Sequence, residues 1–328
     1  MNLATSFFEW LHRHLGKCRC GKKIYLFCLF IYQHLIYYSK RIRRRKKAPS
    51  TSIGLYYFDR GHNFGDCLNE DLLRQLGIEF SSVPIEEADC ICIGSILDEL
   101  LLTESRTLRF RKPVKVFGAG FMMCREDANE KFNRPVTIFI LRGKLSLERC
   151  KMLSNSDLNE VVLGDPGLLV KRIFPEVKRE HCYDVGIICH MNDKCSSYLG
   201  NIRFKKKSVV FIDIFLPTRE FVAQVAKCDF ILSSALHGLI CADALGIPNK
   251  WLVISGNVEG NGYKFRDYYS VFDKSDVPIP VDIRQTVIKD EYIERLHSEY
   301  KSKEVQIDRI CERLENAFEK LKTMGCSS

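Results

Sequence analysis

Phe230–Leu245 reads FILSSALHGLICADAL. Its first four residues, Phe230–Ser233, form an apolar run of strand length. Ser234 and Ala235 make a small-residue corner, and His237-Gly238 opens an apolar helix through Leu245. Gly246-Ile247-Pro248 punctuates the end, and Trp251–Ile254 is the next strand, which closes the sheet in this reading. A short apolar run bounded by turn residues and followed by a helical stretch is the repeating unit of a buried parallel sheet.

The same unit recurs in both directions. Upstream, strands are predicted at Gly54–Phe58, Ala88–Ile93, Val114–Phe117, Val136–Leu141 and Val161–Leu163, with helices over Asp66–Leu76 and Ser146–Met152. Nearer the opening stretch, Val185–Cys189 and Val209–Ile214 are strands, and Pro217-Thr218 opens a helix through Ala226. Glu291–Lys322 is periodic and charged, and predicts one long helix. The fold class is therefore α/β: two doubly wound Rossmann-like domains, over residues 51–178 and 179–328, with strand C-terminal ends facing a shared cleft. Residues 1–50 stand apart as a third segment.

The chain has 328 residues, 46% of them hydrophobic, and a formal charge of +9. Residues 1–50 hold 12 Lys/Arg against the single acid Glu9, which leaves the rest at −2. A near-neutral body excludes a nucleic-acid footprint. Fifteen cysteines include no pair of CxxC knuckles, so they read as small core residues of a reduced protein, with no metal site. Ile24–Tyr38 is apolar and aromatic and is followed by seven bases within Lys40–Lys47. It is shorter than the ~20 residues that span a bilayer. This pattern predicts a peripheral anchor on an anionic membrane surface, here the cytoplasmic face of a bacterial membrane. Gly16–Lys23 approaches a P-loop but ends in Lys23 where a hydroxyl is needed, and no strand precedes it.

Several motifs in order resemble the polysaccharide pyruvyl transferase family. They are Asn63-Phe64-Gly65-Asp66, Phe117-Gly118-Ala119-Gly120-Phe121, Leu141-Arg142-Gly143 with Ser146, Leu163-Gly164-Asp165-Pro166, Ser234-Ala235-Leu236-His237-Gly238 and Lys264-Phe265-Arg266-Asp267. The segments around Asn63 and His237 look most like the succinoglycan-type branch. The resemblance implies a glycosyltransferase-B-like arrangement, phosphoenolpyruvate as co-substrate with no other cofactor, and transfer of its pyruvyl group to a sugar diol as a ketal. A lipid-linked acceptor would suit the anchor. Many members carry Arg directly before the Leu-His pair, where this chain has Ala235.

Such a reaction needs a general acid, a general base and anion binding. His237 and Asp66 are the catalytic candidates. Donor binding is expected from His237, Arg142, the N–H of Gly238, and Lys264 or Arg266 in place of the missing arginine, with Gly118 and Gly120 letting ligand approach the backbone. Acceptor binding falls to Asn63, Asp66 and Asp165. Each has a plainer reading: His237 or Asp165 as a turn residue, Asp66 as a helix cap, Arg142 as an ion pair, Lys264 and Arg266 as a solvated turn. Two other functions compete, a nucleotide-sugar glycosyltransferase and a non-catalytic tethered glycan-assembly protein. No Asp-x-Asp pair supports the former.

Overall fold

The structure is a computed structural model that describes residues 52–58, 62–102, 112–124, 130–154, 158–273 and 279–325. The anchor expected over residues 1–50 lies outside them. Among the described residues no helix is long and apolar enough to cross a membrane.

The first half builds a six-stranded sheet from β1 (Ile53–Tyr56), β2 (Phe80–Ser82), β3 (Cys90–Ile91), β5 (Val114–Phe117), β7 (Val136–Leu141) and β8 (Val162–Leu163), in the order β2-β1-β3-β5-β7-β8. Every neighbouring pair is parallel. A small antiparallel pair, β4 (Leu101–Leu102) with β6 (Lys131–Phe132), sits outside it. The second half builds a five-stranded parallel sheet from β9 (Tyr183–Ile188), β10 (Val209–Phe211), β11 (Cys228–Ser233), β12 (Asn249–Val253) and β13 (Val281–Asp282), in the order β10-β9-β11-β12-β13.

The helices are α1 (Phe64–Gln75), α2 (Lys144–Leu153), α3 (Val170–Ile173), α4 (Thr218–Ala226), α5 (Leu236–Ala244), α6 (Tyr263–Tyr269), α7 (Asp290–Glu299) and α8 (Glu304–Gly325). In both sheets the chain leaves the first strand, adds the second on one side and all later ones on the other. The strand order reverses between β1 and β3, and again between β9 and β11, and open α/β sheets bind ligands at such reversals.

Three differences from the sequence reading have physical causes. Trp251–Ile254 does not close the second sheet, because the two-residue β13 pairs beyond β12. Glu291–Lys322 is two helices. Between them Lys303 turns inward to pair with Asp243 at 2.9 Å, and that carboxylate also accepts from Tyr268 Oη and Asn249 Nδ2. Ordering a buried charge among partners outweighs the weak preference of the sequence to stay helical. Finally, β2 was not foreseen, since Ser81 and Ser82 carry no apolar signal.

α8 follows the second sheet in sequence yet packs on the first. Phe318 stacks on Phe117 with ring centroids 5.5 Å apart, Cys311 Sγ reaches the Leu168 carbonyl, and Arg172 pairs with Glu315. One continuous apolar core runs from Leu68 and Leu72 through Leu236 and Phe265 to Leu314 and Phe318, with a separate core on the outer face of each sheet. The largest of these three clusters draws on both halves, and its close packing holds the cleft walls in fixed register.

Candidate active site

A cavity of ≈ 500 Å³ lies between the halves. Both strand-order reversals open onto it: Phe58 follows β1, Gly94 and Ser95 follow β3, His190 follows β9, and Ala235 and His237 follow β11. The chain reaches it through tight corners. Ser233 Oγ accepts from the Ala235 N–H at 3.0 Å, and Ser234 Oγ accepts from the His190 N–H at 2.9 Å, so the ends of β9 and β11 are tied together.

His237 stands on the first turn of α5, its side chain 18% exposed. Its Nε2 is buried and faces Asp165 Oδ2 at 3.7 Å, and neither atom has a hydrogen-bond partner among the described residues. Asp165 is itself fixed, because its Oδ1 accepts from the Gly167 N–H at 2.9 Å and caps the 3-10 turn Pro166–Leu169. The other ring nitrogen, Nδ1, lies against Gly65 of α1, where a Cβ would sit 1.9 Å away. Gly65 therefore makes room for the imidazole. A carboxylate facing one nitrogen favours the tautomer with its proton there and leaves Nδ1 as the nitrogen open to accept one. The turn role expected of Asp165 is present, and the same residue backs the histidine.

Asn63, not Asp66, caps α1, since its Oδ1 accepts from the Asp66 N–H at 3.2 Å. Its Nδ2 donates to Asp66 Oδ2. Both residues line the cavity, and Asp66 is 7% exposed.

Lys264, 7% exposed on α6, also lines the cavity and has no hydrogen bond or ion pair to its ammonium among the described residues. Burial and the nearby Arg142 cation push it down to about 8, opposed by Asp66, Glu259 and Asp193. Arg266 is exposed, donates to the Asn261 carbonyl and is not a wall residue.

Four other residues sit differently from what the sequence suggested. Arg142 does not line the cavity. Its side chain is 1% exposed, with Nε to Asp267 Oδ2 at 2.9 Å, Nη1 to Ser95 Oγ at 2.6 Å and Nη2 to the Phe121 carbonyl at 2.6 Å. Asp267 also accepts from the Ser146 N–H and hydroxyl. This network bolts β7 and α2 of the first half to α6 of the second. Gly143 belongs to the same joint, since a Cβ there would lie 1.8 Å from the Asp267 carbonyl oxygen. Gly118 and Gly120 admit protein and not ligand: a Cβ would strike Pro166 at 2.3 Å and the Arg142 guanidinium at 2.4 Å, respectively. The Gly238 N–H turns back to the Ala235 carbonyl at 3.1 Å, and the residue lets α5 approach Ser233 and Ile188 closely.

Among the described lining residues, Asp66, Asp98, Glu99 and Glu259 outnumber the single ammonium of Lys264. Asp98 is engaged by Arg149 at 3.1 Å, and Glu99 accepts from Tyr56 Oη at 2.7 Å. Phe58, Met122, Met123 and Ile214 give the remaining wall an apolar face. Carboxylates beside apolar surface suit a polyhydroxyl ligand, whose hydroxyls donate while its ring carbons pack. His190 was missed in the sequence, where a lone histidine after a strand carries no pattern.

Paired parallel sheets whose strand-order reversals share one cavity, with a carboxylate-backed imidazole and an unpartnered ammonium, define an α/β group-transfer enzyme. The comparisons agree. The family model described as polysaccharide pyruvyl transferase matches residues 12–256. The chain belongs to the polysaccharide pyruvyl transferase family, and it is a pyruvyl transferase of polysaccharide synthesis acting on a saccharide acceptor. It is 36% identical over 233 residues to an uncharacterised protein of Acanthamoeba polyphaga mimivirus, covering 67% of this chain and 74% of that one. It is 25% identical over 235 residues to the succinoglycan biosynthesis protein ExoV of Rhizobium meliloti, covering 70% and 68%. A relative in a giant virus means that membership alone does not place the chain in a bacterium. A crystal structure of a functionally uncharacterised Klebsiella pneumoniae protein overlaps 77% of this chain and 97% of its own, at 12% identity and a TM-score of 0.42, too low to carry any argument.

Proposed function

We propose that phosphoenolpyruvate is the donor, bound at the Lys264 and His237 side of the cavity, and that the saccharide diol lies against Asn63, Asp66 and the apolar wall. The observation that carries this is that His237, backed by Asp165, lines the same cavity as Lys264, whose ammonium has no hydrogen bond or ion pair among the described residues. One acceptor hydroxyl adds to C2 of the enol phosphate and gives up its proton, C3 takes a proton, phosphate leaves from C2 with the C–O electron pair, and the second hydroxyl closes the ketal with loss of its own proton. His237, with Asp165 facing its Nε2 and Nδ1 left to take a proton, supplies and removes protons on this path. Lys264 offsets the charge of the donor. The glycosyltransferase-B-like arrangement is supported by the two reversals facing one cleft, and a succinoglycan-like acceptor by the ExoV likeness.

The test is release of inorganic phosphate from phosphoenolpyruvate that depends on a saccharide acceptor, with a mass gain on the acceptor equal to a pyruvate ketal. Run upward from neutral pH, where the donor phosphate is already fully charged, the donor Kd is expected to change little up to about 8 and then to rise by up to about tenfold per unit, because the charged form of Lys264 binds the anion. Donor binding by a Lys264→Met variant that keeps the wild-type affinity and pH profile would remove Lys264 from the site.

We further propose that residues 1–50 hold the enzyme at an anionic leaflet, supported by the charge of that segment and its apolar run. Each base near such a surface contributes about 1 kcal/mol. The full chain is expected to sediment with anionic vesicles and a chain of residues 51–328 to stay in the supernatant. Equal sedimentation of the two would place the contact elsewhere.

A further inference from the structure

His190 is the second imidazole of the cavity, and its surroundings are opposite to those of His237. The residue follows β9, and its backbone N–H is held by Ser234 Oγ at 2.9 Å. A tight turn then folds the chain over the ring: the Asp193 N–H donates to the His190 carbonyl at 2.8 Å, and the Asn192 N–H donates to His190 Nδ1 at 3.3 Å. An imidazole nitrogen that accepts from a backbone N–H carries no proton, so the ring proton is on Nε2. No hydrogen bond from Nε2 to protein exists among the described residues, and the ring lines the cavity.

The charged groups that bear on the ring are Lys264 from α6 and Asp193 from its own turn. Burial, with Lys264 next, pushes the imidazole down to about 4 against the opposing pull of Asp193. Protonating Nδ1 would also set two donors, ring N–H and Asn192 N–H, against each other. Geometry and charge therefore both keep this ring neutral.

We propose that His190 touches the donor as a fixed neutral hydrogen-bond donor: its Nε2–H binds an anionic oxygen, carboxylate or phosphate, of the same group that pairs with Lys264, and it exchanges no proton in turnover. This rests on the cavity being the donor site. It gives the two histidines separate tasks. His237, with a carboxylate behind it, handles protons, and His190, with a cation beside it, only binds. One imidazole kept neutral, beside another that faces a carboxylate, lets a single pocket combine binding with proton transfer. It also restores a donor of N–H bonds to a site in which Ala235 brings none.

The experiment measures binding of phosphoenolpyruvate and, separately, of inorganic phosphate by calorimetry, in the full chain and in His190→Leu and His190→Gln variants. Leu removes the donor and Gln keeps an N–H at the Nε2 position. We expect His190→Leu to weaken phosphoenolpyruvate binding by about 10- to 150-fold, as for a hydrogen bond to a charged group, and His190→Gln to recover to within about tenfold of wild type. If phosphate binding weakens in parallel, the contact is to the phosphate, and if phosphate is unaffected it is to the carboxylate. Nitrogen NMR of the His190 ring is expected to show an Nε2–H tautomer unchanged from pH 5 to 8 (~3 units). Equal phosphoenolpyruvate affinity in wild type and His190→Leu overturns this inference alone. A ring that titrates between about 5.5 and 7.5 overturns its neutrality. A wild-type chain that binds neither probe overturns the donor reading together with it.

Discussion

Replacing His237 by Ala is expected to lower turnover by about 100- to 10,000-fold, the range a positioned acid–base group supplies. The fold should persist, because the ring is partly exposed and the carboxylate it faces, Asp165, stays anchored to the Gly167 N–H. Two further variants separate proton transfer from packing. Asp165→Asn keeps the cap oxygen but removes the carboxylate oxygen facing Nε2, so it should lower kcat while leaving the melting curve near wild type. Gly65→Ala leaves every chemical group in place yet drives a methyl to 1.9 Å from Nδ1, which forces the ring off its axis and should cost activity as well. A His237→Ala enzyme with wild-type kcat and an unchanged melting curve would show that protons move elsewhere.

The second large effect concerns the joint between the halves. Asp267→Ala is expected to destabilise the protein by about 3–5 kcal/mol, because Arg142 is then left buried with its charge uncompensated. Ser146 loses the acceptor of its N–H and hydroxyl in the same step. The measurement is urea denaturation followed by circular dichroism. The double variant Arg142→Met with Asp267→Leu, which removes both charges and restores volume, should recover much of the loss, since a buried pair contributes little net stability over a packed apolar one. An Asp267→Ala protein that unfolds at the wild-type midpoint would mean that Arg142 has another compensating anion.

The alternation of strand, small-residue corner and helix was legible, because its signals are local: apolar runs such as Val136–Leu141 and the corner at Ser234-Ala235. What was not legible depended on partners far away in the chain. Arg142 looked like an anion clamp, as arginine at a strand end often is, and nothing near it announces Asp267, 125 residues on. Gly118 and Gly120 looked like ligand contacts for the same reason, as their neighbours Pro166 and Arg142 are brought in by the tertiary fold. His237 was found in the sequence, but its pairing with Asp165 was not, since the two come from different halves. The cavity itself follows from strand order, which apolar patterning does not encode.

The packing of α8 sets the order in which this chain can finish folding on the ribosome. Residues 304–325 are translated after both sheets, yet they cover Phe117, Leu168 and the turn at Gly164 in the first half. The earliest sheet therefore emerges with the part of one apolar face around Phe117 uncovered until residues 304–325 have been made. Domains usually fold as units during synthesis, whereas the first half of this chain cannot complete its native packing from its own residues.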